Sequence, residues 1–332
     1  MRADVADWFA RRTWQPPPWS AADLAAVRRG RTVSVVLPAL DEEETVAGVV
    51  AAVHTLTEAG GAAHPLVDEV VVLDGGSTDR TAERATAAGA RVVDRVAALP
   101  SVPVRPGKGE VLWRSLAVTR GDLVVFVDAD LVDVDPAVVV VLLGPLLTEP
   151  GVELVNGFYR RPLRLETAEA GTGGGRVTEL VARPLLARFA PALSGVVQPL
   201  GGEYAATRDL LESLPFAGSY GVEIGLLLDT LAARGLDALA QVDLGVRKHR
   251  NRSLLDLGVM AQQVLETVLA RTPGAGVPSG GEPVELVQFV QDGGLWTARP
   301  RLVAVPDRPP MRQVRADLAA VGAAPGRGSI EA

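Results

Sequence analysis

The chain has 332 residues, 48% of them apolar, a formal charge of −7 and no cysteine. Its length suits one large α/β domain with additions, or two small ones. The lack of cysteine excludes disulfides, thiolate zinc sites and a thiol nucleophile and fits a reducing compartment, while the acidic balance argues against wholesale nucleic-acid binding, so that any polyanion site must be local.

In chain order, MRADVADWFARRTW carries charges where a secretory leader needs an apolar core, so no secretion is expected. TVSVVLP (Thr32–Pro38) predicts a strand, and the pattern over Glu42–Gly60 predicts the helix after it. VDEVVVLD (Val67–Asp74) predicts a second strand, Asp79–Gly89 a helix and ARVVD (Ala90–Asp94) a short third strand. A Pro-rich loop and a helix over Gly109–Thr119 lead to GDLVVFVDAD (Gly121–Asp130). The longest apolar run, Ala137–Leu147, is too short for a bilayer and contains a proline. VELVNGFYRRPL (Val152–Leu163) resembles a strand, and Ala170–Phe189 a Gly-rich loop opening a helix. Tyr220–Gly235 predicts a helix, Leu236–Val246 a strand, RKHRNR (Arg247–Arg252) a basic turn and Leu254–Arg271 a last helix. A Gly/Pro-rich segment follows, and residues beyond about Val321 are expected to form a disordered tail. Near-continuous Val/Ile/Leu strands alternating with helices predict a mostly parallel sheet covered on both faces. In such sheets ligands bind beyond the carboxyl ends of the strands, where LPALDEEE, LDGGSTD and VDAD all fall.

Asp128 and Asp130 are two apart at the end of a buried strand, so an extended backbone points both to one side. Such a pair needs a counter-charge, and Mg²⁺ or Mn²⁺ prefers these oxygens; the alternative is a cap or a solvated end. Asp133 and Asp135 suit the helix start before Pro136. Asp41 could cap the helix that follows it, with Glu42–Glu44 in its first turn. Neither the dinucleotide fingerprint nor the P-loop occurs. Lys108 stands between two glycines in a loop, suited to reach a phosphate or merely solvated. Arg176 and Thr178 fall at a helix opening, which favours an anion. GVRKHRNR crowds Arg247, Lys248, His249, Arg250 and Arg252 into an acidic protein; a bound anion would offset their repulsion, and His249 could ligate a metal. His54 and His64 look like surface residues. The expected counter-charge for the aspartates is a divalent metal bridging the phosphates of a nucleotide.

VVLPALDEE, PVRPGKGEVLWRSL, GGGRVTELVARPLL, GEYAATR, SYGVEIGLL, LGVRKHRNR and DRPPM together resemble the retaining GT-A glycosyltransferases, in particular the actinobacterial glucosyl-3-phosphoglycerate synthases, from about Arg31 to Met311. The resemblance implies a Rossmann-like GT-A fold with a mostly parallel sheet and a C-terminal extension for acceptor binding and dimerisation. It divides the chain into an N-terminal helical extension (1–30), a nucleotide-sugar half (31–150), an acceptor half (151–272) and the extension (273–332). It implies transfer of glucose from UDP-glucose to 3-phosphoglycerate, early in methylglucose lipopolysaccharide synthesis, by a cytoplasmic homodimer using Mg²⁺ or Mn²⁺. Carried over onto this sequence, Pro38, Ala39, Leu40 and Glu42 would line the uridine pocket, with Gly75 and Lys108 on the nucleotide. Asp130 and His249 would hold the metal, and Asp128 and Ala129 would meet the donor. Glu223 and Arg247 would position sugar and diphosphate, while Gly175, Arg176, Val177, Thr178 and Asn251 would grip the acceptor. The family commonly has DSD where this chain has Asp128–Ala129–Asp130, and DSGSTD where it has DGGSTD, so two serine hydroxyls near the nucleotide are missing. Mannosyl-3-phosphoglycerate synthases, which use GDP-mannose, share the scaffold and are the alternative. Glu223 is the one candidate nucleophile for double displacement; same-face attack is preferred. A pyrophosphorylase would need an Arg-bearing Gly-rich loop after the first strand, and a non-catalytic module would be expected to lose the metal residues.

Overall fold

A computed structural model describes residues 1–160, 175–246, 253–275 and 282–323. Eight strands form one sheet: β1 (Thr13–Trp14), β2 (Val33–Ala39), β3 (Glu69–Asp74), β4 (Arg91–Asp94), β5 (Leu123–Phe126), β6 (Leu154–Arg160), β7 (Tyr204–Thr207) and β8 (Leu239–Val246). Their order is β1-β8-β6-β7-β5-β2-β3-β4. Every neighbouring pair is parallel except those of β7, which runs antiparallel to both β5 and β6. The mostly parallel sheet expected from the Val-rich runs is therefore present.

Strand alternation sends successive side chains to opposite faces of the sheet. Along β5 and just beyond it, Leu123, Val125, Val127 and Ala129 enter the layer that also holds Val46, Val50 and Leu142. Val124 and Phe126 enter the opposite layer with Leu112, Trp113 and Val222. The first layer is built by helices Val46–His54 and Ala137–Thr148, and the second by helices Lys108–Val118, Val222–Arg234 and Leu254–Ala270. The apolar run at Ala137 is thus a core helix with Pro145 inside it, and among the described residues no helix is long and apolar enough to cross a membrane. The N-terminal segment forms helix Ala3–Arg12, adds β1 to the sheet edge, and is pinned where Trp8 Nε1 donates to the Leu239 carbonyl at 2.9 Å.

The C-terminal part holds what the sequence did not suggest. β9 (Val284–Asp292) and β10 (Leu295–Val303) form an antiparallel hairpin with nine residue pairs. Its turn is Gly293–Gly294, both at positive φ, as a two-residue hairpin turn requires. Phe289, Leu295, Trp296 and Leu302 are exposed on it. Past the hairpin, Arg308 pairs with Phe216 through two backbone hydrogen bonds of 2.8 and 3.0 Å. Its guanidinium bonds both oxygens of buried Glu110, at 2.5 and 2.8 Å, and lies over the Trp113 ring. Arg114, fully buried, bonds the same carboxylate at 2.6 Å. These contacts lock the DRPPM segment onto helix Lys108–Val118, and helix Met311–Ala323 follows. The tail expected beyond Val321 starts within that helix, and the rest of it, residues 324–332, lies outside the described residues.

Candidate active site

The carboxyl ends of β2, β3 and β5 converge on one edge, and the loops there are tied by short polar contacts. Ala39 and Asp74 are register partners, and the Gly75 N–H donates to the Ala39 carbonyl at 2.7 Å. A Cβ on Gly75 would stand 3.1 Å from that oxygen and 3.5 Å from Leu40 Cβ, so a side chain here would need the corner to give. Asp74 closes the GGS turn by accepting from Ser77 N and Oγ at 2.9 and 2.6 Å. Asp41, expected to cap the next helix, instead sits at φ 54° and accepts from the Thr78 N–H of the neighbouring loop at 2.8 Å. The helix starts later, at Val46, with Glu42–Glu44 in the turn before it. Glu42 N–H donates to Thr81 Oγ1 at 2.8 Å. Pro38 is half-buried, Ala39 buried and Leu40 exposed, which leaves an apolar corner open beside these loops.

β5 ends at Phe126, and Asp128 and Asp130 follow in the turn region, with Ala129 buried between them. The positive group that meets Asp128 is Lys108. Its Nζ lies 2.6 Å from Asp128 Oδ1 and 2.9 Å from Glu223 Oε1. The expectation of a loop lysine is corrected: Lys108 opens helix Lys108–Val118 and is only 15% exposed. Glycines make this approach possible. Gly107 adopts φ 102°, and a Cβ on Gly109 would strike the Ala217 carbonyl at 2.0 Å. Burial opposes the charge on Lys108, yet Asp128 and Glu223 outweigh it and raise its pKa well above the lysine range. Burial pushes the Glu223 carboxyl up, with Lys108 pulling the other way.

Two further residues of this wall escaped the sequence reading, although the quoted GEYAATR contains both. Gly202 lies against Asp128, where an added Cβ would come within 2.1 Å of Oδ2. Tyr204 is buried, and its phenol feels the charges of Glu223, Lys108 and Asp128. The signal was a glycine pair running into an aromatic residue, but its partner β5 lies some 80 positions earlier, so only the fold joins them.

On the acceptor side, Gly175 precedes a helical stretch from Arg176 to Phe189, whose Thr178–Ala182 portion has π-helical turns. Arg176 is exposed, whereas Val177 and Thr178 are buried, Val177 in the same core as Phe126, Tyr204 and Val222. Arg247, His249 and Asn251 lie outside the described residues, so only part of the expected constellation is described: Lys108, Asp128 and Glu223 in contact, Asp130 beside them in the chain.

A metal fits the donor chemistry, since Asp128 and Asp130 offer hard carboxylate oxygens at one strand end. Among the described residues no cluster of three or more His, Cys, Asp or Glu could hold an ion. His249, the other expected ligand, lies outside the described residues.

The model of the family "Glycosyl transferase family 2" matches residues 34–163. The chain is 59% identical over 308 residues to the glucosyl-3-phosphoglycerate synthase of Mycolicibacterium smegmatis, covering 93% of this chain and 98% of that one. It superposes with a TM-score of 0.80 on the crystal structure of glucosyl-3-phosphoglycerate synthase from Mycobacterium tuberculosis in complex with Mn²⁺, UDP-glucose and phosphoglyceric acid, at 55% identity over 91% of this chain and 98% of that one. The structure of the same enzyme with Mn²⁺, UDP and glucosyl-3-phosphoglycerate matches with a TM-score of 0.81, at 54% identity over 92% of this chain and 99% of that one.

Proposed function

The chain belongs to the glucosyl-3-phosphoglycerate synthases, and we propose from that premise how its own residues divide the work. The enzyme transfers glucose from UDP-glucose to 3-phosphoglycerate, giving glucosyl-3-phosphoglycerate and UDP. The observation that carries the residue assignment is the buried Lys108–Asp128–Glu223 cluster at the carboxyl edge of the sheet. An ammonium held beside two carboxylates is placed to trade one of them for a diphosphate oxygen. The corner of Pro38, Ala39, Leu40, Glu42 and Gly75 takes the uridine, and Asp128 and Ala129 meet the donor. Asp130, with His249, would hold Mn²⁺ or Mg²⁺, which as a Lewis acid stabilises charge on the departing diphosphate.

Glu223 is read as a group that orients the sugar. Its Oε1 is held by the Lys108 ammonium at 2.9 Å, and that contact weakens the oxygen as a nucleophile. Retention then follows from same-face attack. The acceptor oxygen bonds to the anomeric carbon as the bond to the diphosphate breaks; the leaving oxygen keeps the electron pair and takes the hydroxyl proton. Arg247 steadies the diphosphate. Gly175, Arg176, Val177, Thr178 and Asn251 form the acceptor site, where the exposed Arg176 meets phosphate or carboxylate. Both substrates carry phosphates and do not cross a bilayer unaided, which supports a cytoplasmic enzyme. A second copy covering the hairpin's Phe289, Trp296 and Leu302 gives the homodimer; light scattering that returned a single-chain mass would remove it.

The reading is tested by supplying purified protein with 3-phosphoglycerate and equal UDP-glucose and GDP-mannose. Glucosyl product dominates, with measurable use of GDP-linked donors, because the hydroxyls missing at Gly75 and Ala129 are worth only about 0.5–1.5 kcal/mol each. A majority of mannosyl product would replace the donor assignment. In the same assay Arg176→Ala raises the KM for 3-phosphoglycerate about tenfold and leaves that for UDP-glucose nearly unchanged. Unaltered acceptor kinetics would take Arg176 out of the site.

A further inference from the structure

Tyr204 opens β7 opposite Phe126 of β5, and the two rings pack with centroids 4.9 Å apart. The residue is 2% exposed, and among the described residues its hydroxyl has no hydrogen-bond partner. A buried unpaired hydroxyl destabilises a fold, and phenylalanine would fill the same space without that defect. The hydroxyl therefore calls for a role outside packing. Its surroundings point to one. The charges that reach the phenol are Glu223 first, then Lys108 and Asp128, and burial keeps it protonated by raising its pKa well above the usual value. Two positions earlier Gly202 lies directly against Asp128, so the start of β7 forms a wall of the cluster.

We infer that Tyr204 is a positioning residue for glucosyl transfer, its hydroxyl donating a hydrogen bond to the Glu223 carboxylate when Lys108 turns to the donor's diphosphate. The inference rests on the reading of Lys108 and Glu223 as donor-contacting groups. As the side chains stand, one ammonium serves both Asp128 and Glu223. A diphosphate competing for that ammonium removes the cationic donor from Glu223, which is 7% exposed and is costly to leave without one. The phenol supplies a neutral O–H. It fixes the carboxylate's orientation and leaves its remaining lone pairs to sugar hydroxyls, without a second cation competing for them.

The test compares Tyr204→Phe with Glu223→Gln in steady-state kinetics, thermal melting and binding of UDP alone. Tyr204→Phe keeps the ring against Phe126 and folds, with Tm higher by about 2 °C or more once the unpaired hydroxyl is gone. Its kcat falls about tenfold, while the KM for 3-phosphoglycerate and the affinity for UDP without sugar stay as in the unmodified enzyme. A more stable enzyme that turns over more slowly is the signature of a group retained for positioning. If Tyr204→Phe keeps full kcat while Glu223→Gln loses most of it, the Glu223 reading stands and the inference about Tyr204 is overturned. If Glu223→Gln also keeps full kcat, the reading beneath it fails as well. A lower Tm with kcat, both KM values and UDP affinity all impaired would mark Tyr204 as structural and equally overturn the inference.

Discussion

Replacing Asp130 with alanine lowers kcat for glucosyl transfer at least ~100-fold, and excess EDTA abolishes turnover of the unmodified enzyme until Mn²⁺ or Mg²⁺ is restored. The size of the effect follows from the charge that a divalent ion stabilises on the departing diphosphate. In the proposed site the protein's ligands are Asp130 and His249, so the Asp130→Ala change removes one of the two. Lys108 adds a single positive charge to the diphosphate and does not replace a divalent ion there. The measurement is initial rate against added metal for both proteins. Full activity in excess chelator, or an Asp130→Ala enzyme within a few-fold of normal, would remove the metal from the proposed site.

The second large effect is on stability. Arg308→Met keeps much of the side-chain volume but removes the cation bonded to both oxygens of Glu110, in a cluster where Glu110 is 2% and Arg308 6% exposed. Breaking a buried pair from one side costs about 3–5 kcal/mol, and urea unfolding of the two proteins measures it. The pH dependence carries its own sign. Burial raises the Glu110 pKa, but Arg308 and Arg114 outweigh it and hold it below the ordinary glutamate value of 4.5. The pair's contribution is thus full above about pH 4.5 and is lost as pH falls through the lower folded value. Without Arg308 the folded pKa rises and there is less to lose, so the stability gap between the two proteins narrows on acidification. A gap constant from neutral pH to pH 3.5 would mean that Glu110 is not the partner that matters.

What could be read from the sequence was whatever short range decides. Val-rich runs bounded by glycines or aspartates located β2, β3, β4, β5, β6 and β8 to within a few residues, because buried parallel strands leave a dense local signal. β7 was missed: four residues running antiparallel between β5 and β6 look like the loop around them. In the hairpin Gly293–Gly294 between two β-rich runs is a recognisable turn signal, but the Gly/Pro-rich segment just before it gives the whole region the composition of a loop. At the site, the pairing of Asp128 with a cation followed from charge alone, but its identity did not. Lys108 is 20 positions from Asp128 and 115 from Glu223, and no local pattern says that a helix will aim it at both. The same holds for Tyr204, whose meaning lies in what its hydroxyl fails to meet.

The clamp between Glu110 and Arg308 spans 198 positions, which has a consequence for how the enzyme comes to exist. A ribosome adding roughly 5–20 residues per second needs about 10–40 s to cover that distance. Until then Glu110 has only the Arg114 guanidinium and the Arg105 N–H to meet it, and Phe216, once made, lacks its backbone partner. The contacts of Arg308 with the helix that carries Lys108 therefore form only after every strand of the main sheet has been made. A chain that stops short of Arg308 would contain every strand of the main sheet and still lack the contact that joins Phe216 to the helix of Glu110.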